Sequence, residues 1–189
     1  ETNVFLGQQA TEPEVRRLND SGRLGQAKVI AFATHGLLAG EVQGVTQPAL
    51  VLTPPSVPTD DNDGLLSMED VLHLKLPNTD WVILSACNTA GDNGSGESLS
   101  GLARAFFFAG AKALLVSQWS VDDEATRFLM SAIFTAYGGR RSFPAKALQE
   151  GMLALLNEAG KDQEKQYFAH PYAWAAFFLV GDGALQTAL

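Results

Sequence analysis

Two positions in this sequence have the residue types of a nucleophile and its base. The first is His35, in Ala33-Thr34-His35-Gly36, and the second is Cys87, in Ser85-Ala86-Cys87-Asn88-Thr89. A thiol attacks a carbonyl only as thiolate, and a free cysteine, with a pKa of about 8.5, is mostly thiol at neutral pH. A neighbouring imidazole takes that proton and later returns it to a leaving amine. Gly36 leaves room beside the imidazole for a substrate carbonyl, and its N–H could join that of Cys87 in stabilising an oxyanion. Each residue also has an ordinary alternative. A lone cysteine often serves as a small buried hydrophobe, and a lone histidine as a satisfied surface or core group.

The elements that must position these residues are legible as apolar runs. Residues 28–34, 81–86 and 112–117 are short, rich in β-branched or aromatic residues, and end in small polar ones. They are apolar on both faces rather than alternating, which predicts buried strands of a parallel sheet. Ligands of such sheets bind beyond the carboxyl ends of the strands, so parallel first and second strands bring His35 and Cys87 out at one edge. A fourth run, 175–180, stops at Gly181, and weaker strand candidates are 4–6 and 49–52.

Helical spacing fills the gaps. Ala125, Phe128, Leu129, Ala132, Ile133, Ala136 and Tyr137 define one helix ended by Gly138 and Gly139. Pro144 opens another, with Ala145, Leu148, Met152, Leu155, Leu156 and Ala159 on one face before Gly160. Residues 98–109 are apolar nearly all round, which predicts a thoroughly buried helix. Ser67 with Asp70 is a capping box for a short helix through Leu74, and Thr11 with Glu14 repeats the pattern earlier. Strands alternating with helices predict a doubly wound α/β domain. Residues 53–64, with their prolines and acids, and the Gly-rich 89–97 read as loops.

Composition narrows the classes. At 189 residues the chain suits one domain with a proper core. Thirteen basic against 21 acidic residues give a net charge of -8, and no Lys/Arg cluster marks a nucleic-acid surface. One cysteine excludes an internal disulfide and a cysteine-based zinc cage. No His/Asp/Glu set has metal-ligand spacing, so neither metal nor cofactor is expected. The longest apolar stretches fall short of the roughly 20 residues a membrane helix needs, so no membrane partner is expected. The start carries no signal peptide and no initiator Met. These features predict a cytoplasmic protein and a piece, residues 1–189, of something longer.

The motifs, taken in order, carry a family resemblance. Residues 33–36, 84–89, Gly96-Glu97 with 101–106, Trp119 to Thr126 and His170 to Phe177 together resemble the CHAT domain, over almost the whole chain. CHAT domains are caspase- and separase-like cysteine peptidases, typically found behind TPR repeats. The resemblance implies a caspase-like fold, a mainly parallel six-stranded sheet with helices on both faces. It implies His35 and Cys87 as the catalytic dyad, and the amides of Gly36 and Cys87 as the oxyanion hole. It also implies a protein substrate and an N-terminal TPR-like regulatory region or regulatory protein as partners.

Two further signals compete with ordinary explanations. Residues 91–98 nearly spell a phosphate-binding loop, but Glu97 stands where its lysine should, and a carboxylate repels phosphate. A loop beside Cys87 that shapes the substrate cleft, with Glu97 at its end, fits better. Asp122, Asp123 and Glu124 open a helix, where acids favour the dipole, and Ser120 with Asp123 suggests another capping box. The functional alternative is an acidic wall for the residue before the scissile bond. Separases, which prefer Arg there, carry a similar Trp-x-Val-x-Asp segment, which points to Asp123 first, then Asp122, beside Trp119. His73 and His170 read as structural. The expected function is a cysteine endopeptidase acting through a thioester acyl-enzyme. The alternative is a catalytically silent interaction module of the same fold.

Overall fold

The computed structural model describes residues 2–59, 61–85, 97–139 and 143–183. In chain order its strands are β1 (Val29–Phe32), β2 (Gly36–Leu37), β3 (Ala49–Val51), β4 (Leu65–Ser67), β5 (Trp81–Leu84), β6 (Ala113–Ser117) and β7 (Phe177–Gly181). The helices are α1 (Glu12–Asp20), α2 (Met68–Leu72), α3 (Glu97–Ala109), α4 (Asp123–Gly139) and α5 (Pro144–Ala159).

The main sheet has the order β1-β5-β6-β7. The β1–β5 and β5–β6 pairs are parallel, and β7 runs antiparallel to β6. Every residue of β5 and β6 is buried. That is why these runs are apolar without alternation, since each side chain meets a core whichever face it takes. Val82, Leu84, Leu114 and Val116 pack with Leu18 of α1, Val71 of α2 and Phe106 of α3. On the other face, Trp81, Ile83 and Leu115 pack with Leu129 and Ile133 of α4 and Leu148 and Leu155 of α5. Helices therefore cover both faces, as expected.

The count of strands differs from the expected six. Among the described residues the main sheet has four, and a separate antiparallel sheet has the order β2-β3-β4. Residues 4–6 form no strand. Val4 and Leu6 are 67% and 73% exposed, so this apolar run has no layer to pack against. The run at 49–52 supplies β3, which pairs antiparallel with β4 instead of joining the main sheet. The expectation that 98–109 is buried all round also fails at Phe108, which is 79% exposed. Helix α3 covers one sheet face, so its outward stripe meets solvent whatever its hydrophobicity.

Caps fall largely where expected. The Ser67 side chain accepts from the Asp70 amide while the Asp70 carboxylate accepts from the Ser67 amide, a complete capping box. The helix it starts ends at Leu72, earlier than expected. At α1 the box is half formed. Thr11 Oγ1 accepts from the Glu14 amide, but the Glu14 carboxylate accepts two hydrogen bonds from the Arg17 guanidinium, at 2.7 and 2.8 Å.

Candidate functional site

The register of the central pair sets the geometry of the carboxyl edge. Phe32, the last residue of β1, lies opposite Leu84, the last residue of β5, and Ser85 N–H donates to Phe32 O at 3.1 Å. His35 follows Phe32 by three residues and is exposed. Cys87 follows Leu84 by the same three residues, and it lies outside the described residues, as does the rest of 86–96. Glu97 is the first residue of α3.

His35 sits where the chain passes from the main sheet to the small one. Val51 N–H of β3 donates to His35 O at 2.8 Å, and the Thr34 hydroxyl donates to Val51 O. Beyond His35, Gly36 lies opposite Leu50, and Leu37 opposite Ala49. Antiparallel ladders alternate bonded and non-bonded pairs. The Val51-to-His35 bond therefore makes Gly36–Leu50 a non-bonded pair, with the Gly36 N–H directed away from β3. Since β2 is an edge strand of its sheet, that amide faces outward rather than into a ladder.

The same edge, at the end of β6, carries the acidic and aromatic residues. Asp122 is committed to structure. Its Oδ1 accepts from the amides of Glu124 and Ala125, both at 3.0 Å, and its carbonyl accepts from the Thr126 amide. Asp122 thus caps α4, and the expected Ser120–Asp123 box is replaced by this cap. Tyr167 O–H also lies 3.1 Å from Asp122 Oδ1 and 3.0 Å from Glu124 Oε2. The Ala125 amide, the Tyr167 hydroxyl and the Glu124 amide hold the Asp122 carboxyl below its usual range, against a smaller opposing effect of burial. Burial and the two carboxylates push the Tyr167 phenol upward.

Asp123 is exposed, and its carboxylate has no hydrogen-bond or ion-pair partner among the described residues. Trp119 is half-buried. Its indole N–H donates to Tyr172 O at 3.0 Å, and its ring stacks on Tyr172 at 5.9 Å and 27°. Trp119 with Tyr172, and Asp122 with Tyr167, thus form two contacting pairs after β6. His35 follows β1, which is separated from β6 by β5 in the main sheet. The roles of Tyr167 and Tyr172 were not evident from spacing, because both contribute from irregular 3-10 turns without periodicity.

The remaining histidines have structural partners. His73 Nδ1 lies 2.8 Å from Glu69 O at the end of α2, and His170 Nδ1 accepts from the Tyr172 amide. The opposite, amino edge of the sheet holds the buried Asp80. Lys112 Nζ donates to it at 2.7 Å and Tyr137 O–H at 3.1 Å, and burial with this carboxylate pushes the Tyr137 phenol up to about 12. Among the described residues no group of three His, Cys, Asp or Glu could hold a metal. No described helix is long and apolar enough to cross a membrane.

The CHAT domain model matches residues 1–182, and the chain belongs to the CHAT domain family. Among curated proteins it is similar to human tetratricopeptide repeat protein 28, at 28% identity over 186 residues, covering 84% of this chain and 7% of the relative. The mouse protein of the same name is 28% identical over 207 residues, covering 94% of this chain and 8% of the relative. The chain thus spans less than a tenth of the length of these relatives, whose names give a repeat content and no activity.

Proposed function

We propose that this chain is a caspase-like cysteine endopeptidase that cleaves a protein substrate through Cys87 and His35. The observation that carries the reading is the β1–β5 register. Three residues of chain reach at most about 11 Å, and both segments start from one paired position, Phe32 and Leu84. Starting points on adjacent parallel strands support a thiol and an imidazole emerging at the same carboxyl edge of the sheet.

The chemistry balances with these residues alone. His35 accepts the Cys87 proton, and the sulfur adds to the scissile carbonyl carbon. The carbonyl oxygen takes the negative charge beside the outward-facing Gly36 amide and that of Cys87. The intermediate collapses as His35 gives its proton to the departing amine, leaving a thioester. Water then adds, with His35 again taking a proton, and the acid leaves as the thiol re-forms.

For recognition, Asp123 stands first, because its carboxylate is unengaged while Asp122 is held by its cap and Tyr167. Trp119 and Glu97 complete the substrate-binding set, and the favoured substrate residue is Arg or Lys. The repeat-containing relatives support an upstream TPR-like regulatory region for this chemistry. The test is peptide hydrolysis by the full-length parent and its Cys87→Ala, His35→Ala and doubly substituted forms. Each single change abolishes turnover with the fold intact, and the double is little worse, because the pair acts as a unit. Retained hydrolysis by Cys87→Ala overturns the peptidase reading and leaves the interaction-module alternative.

A further inference from the structure

His35 is tied to β3 by an irregular ladder. A bonded antiparallel pair exchanges two bonds, so His35 opposite Val51 should both accept from the Val51 amide and donate its own amide to Val51 O. The first bond is present at 2.8 Å. The acceptor of the second, Val51 O, is instead taken by the hydroxyl of Thr34. We propose that Thr34 is the positioning residue of His35. Its side chain substitutes for the His35 amide in the ladder and fixes the backbone on both sides of the imidazole to one β3 residue. The proposal rests on the reading of His35 as the base.

The anchor itself is held firmly enough for this. Directly after Val51, Leu52 N–H donates to Gly64 O at 2.7 Å. Thr53 N–H donates to Ala10 O at 2.8 Å, and Thr53 Oγ1 donates to Gly7 O at 2.7 Å. On the other side, Phe32 O accepts from Ser85. The chain between Phe32 and His35 is thus clamped at both ends, with Thr34 as the inner clamp, and only the two side-chain torsions of His35 remain to set. Without the hydroxyl, Val51 O is released, and the His35 amide becomes the natural donor to it. The backbone would then rotate toward regular ladder geometry and swing the imidazole with it.

The experiment compares Thr34→Val, which keeps shape and loses the hydroxyl, with Thr34→Ser, which keeps the hydroxyl. Two readouts are used. Peptide hydrolysis by the full-length parent should lose about ten- to hundred-fold in kcat with Thr34→Val, with KM changed less than about threefold. Thr34→Ser should stay within about threefold of native. Hydrogen exchange at the His35 amide, followed by NMR on folded protein, should slow in Thr34→Val and remain native in Thr34→Ser. The exchange readout needs no activity, so it decides the clamp even if the peptidase reading fails. Unchanged kcat and unchanged exchange in folded Thr34→Val overturn the proposal. So does equal impairment of Thr34→Ser, because a hydroxyl-independent defect is not the clamp.

Discussion

Asp122 and Asp123 are adjacent, of one type and both exposed, yet the structure gives them different work. Replacing Asp122 by alanine removes the oxygen that accepts from the Glu124 and Ala125 amides. Loss of an N-cap of this kind costs about 1 kcal/mol, and the Tyr167 contact adds little because Tyr167 keeps Glu124 as partner. The capped helix presents Ala125, Leu129 and Ile133 to the core, so fraying at its start is felt by the whole sheet face. A total of about 1–2 kcal/mol, with a urea slope of about 2 kcal/mol/M, lowers the denaturation midpoint by about 0.5–1 M. Asp123→Ala loses only a screened first-turn charge on the helix dipole and should move the midpoint by less than about 0.25 M. The two variants separate in the opposite direction in an activity assay. Asp123→Asn weakens cleavage after Arg or Lys about ten-fold or more, relative to neutral residues, because a substrate charge loses its partner. The pH dependence carries a sign. The Asp122 carboxyl is held low when folded, so its stabilisation is present above the ordinary aspartate value of about 3.9. It fades as pH falls through the lower folded-state value, where native and Asp122→Ala converge. Equal destabilisation by the two alanine variants at neutral pH, or equal loss for all substrates with Asp123→Asn, refutes this division of labour.

Two other predictions follow from buried contacts. Glu12, 2% exposed, accepts from the amides of Asp63 and Gly64 at 2.9 and 2.7 Å, so Glu12→Ala leaves both amides unpaired and should cost about 2–4 kcal/mol by urea denaturation. Burial raises the Glu12 carboxyl despite these amides, so the pH-dependent part of its contribution is greatest below the usual glutamate range and fades as pH rises through the folded value, the amide hydrogen bonds remaining; in native protein the deficit of Glu12→Ala should therefore be larger in mild acid than at pH 7. Gly151 of α5 lies so close to α4 that a Cβ would stand 2.5 Å from Ile133 Cγ1, and Gly151→Ala should destabilise by about 1–2 kcal/mol despite better helix propensity. A calorimetric midpoint at or above native would show that α4 and α5 yield more than this packing implies.

The parts of the fold that could be read from sequence are those where one physical pattern dominates. The fully buried β5 and β6 were visible as unbroken apolar runs, and α5 by its proline and its periodic face. The antiparallel direction of β7 was not visible, because a buried edge run reads the same in either direction. The small sheet was missed for a different reason. Strand β2 has two residues and β4 three, too short for any period to register. At the site, residue types alone singled out His35 and the three acids. What they do not reveal is which acid is free. That depends on Asp122 being the residue whose carbonyl opens α4, a one-residue matter of helix start, and on Tyr167 arriving from 45 residues away. The Thr34 clamp likewise joins residues 17 apart through a hydroxyl, which no spacing rule encodes.

The central claim, that Cys87 is activated by His35, is most directly addressed by the pH profile of Cys87 alkylation with iodoacetamide. Cys87 is the sole cysteine of the chain, so the incorporated mass reports one site. Paired with an imidazole, its thiolate should persist at neutral pH, and the rate profile should have its midpoint well below the roughly 8.5 of a free thiol. His35→Ala should return the midpoint to about 8.5 or above. Superimposable profiles for native protein and His35→Ala would contradict the account.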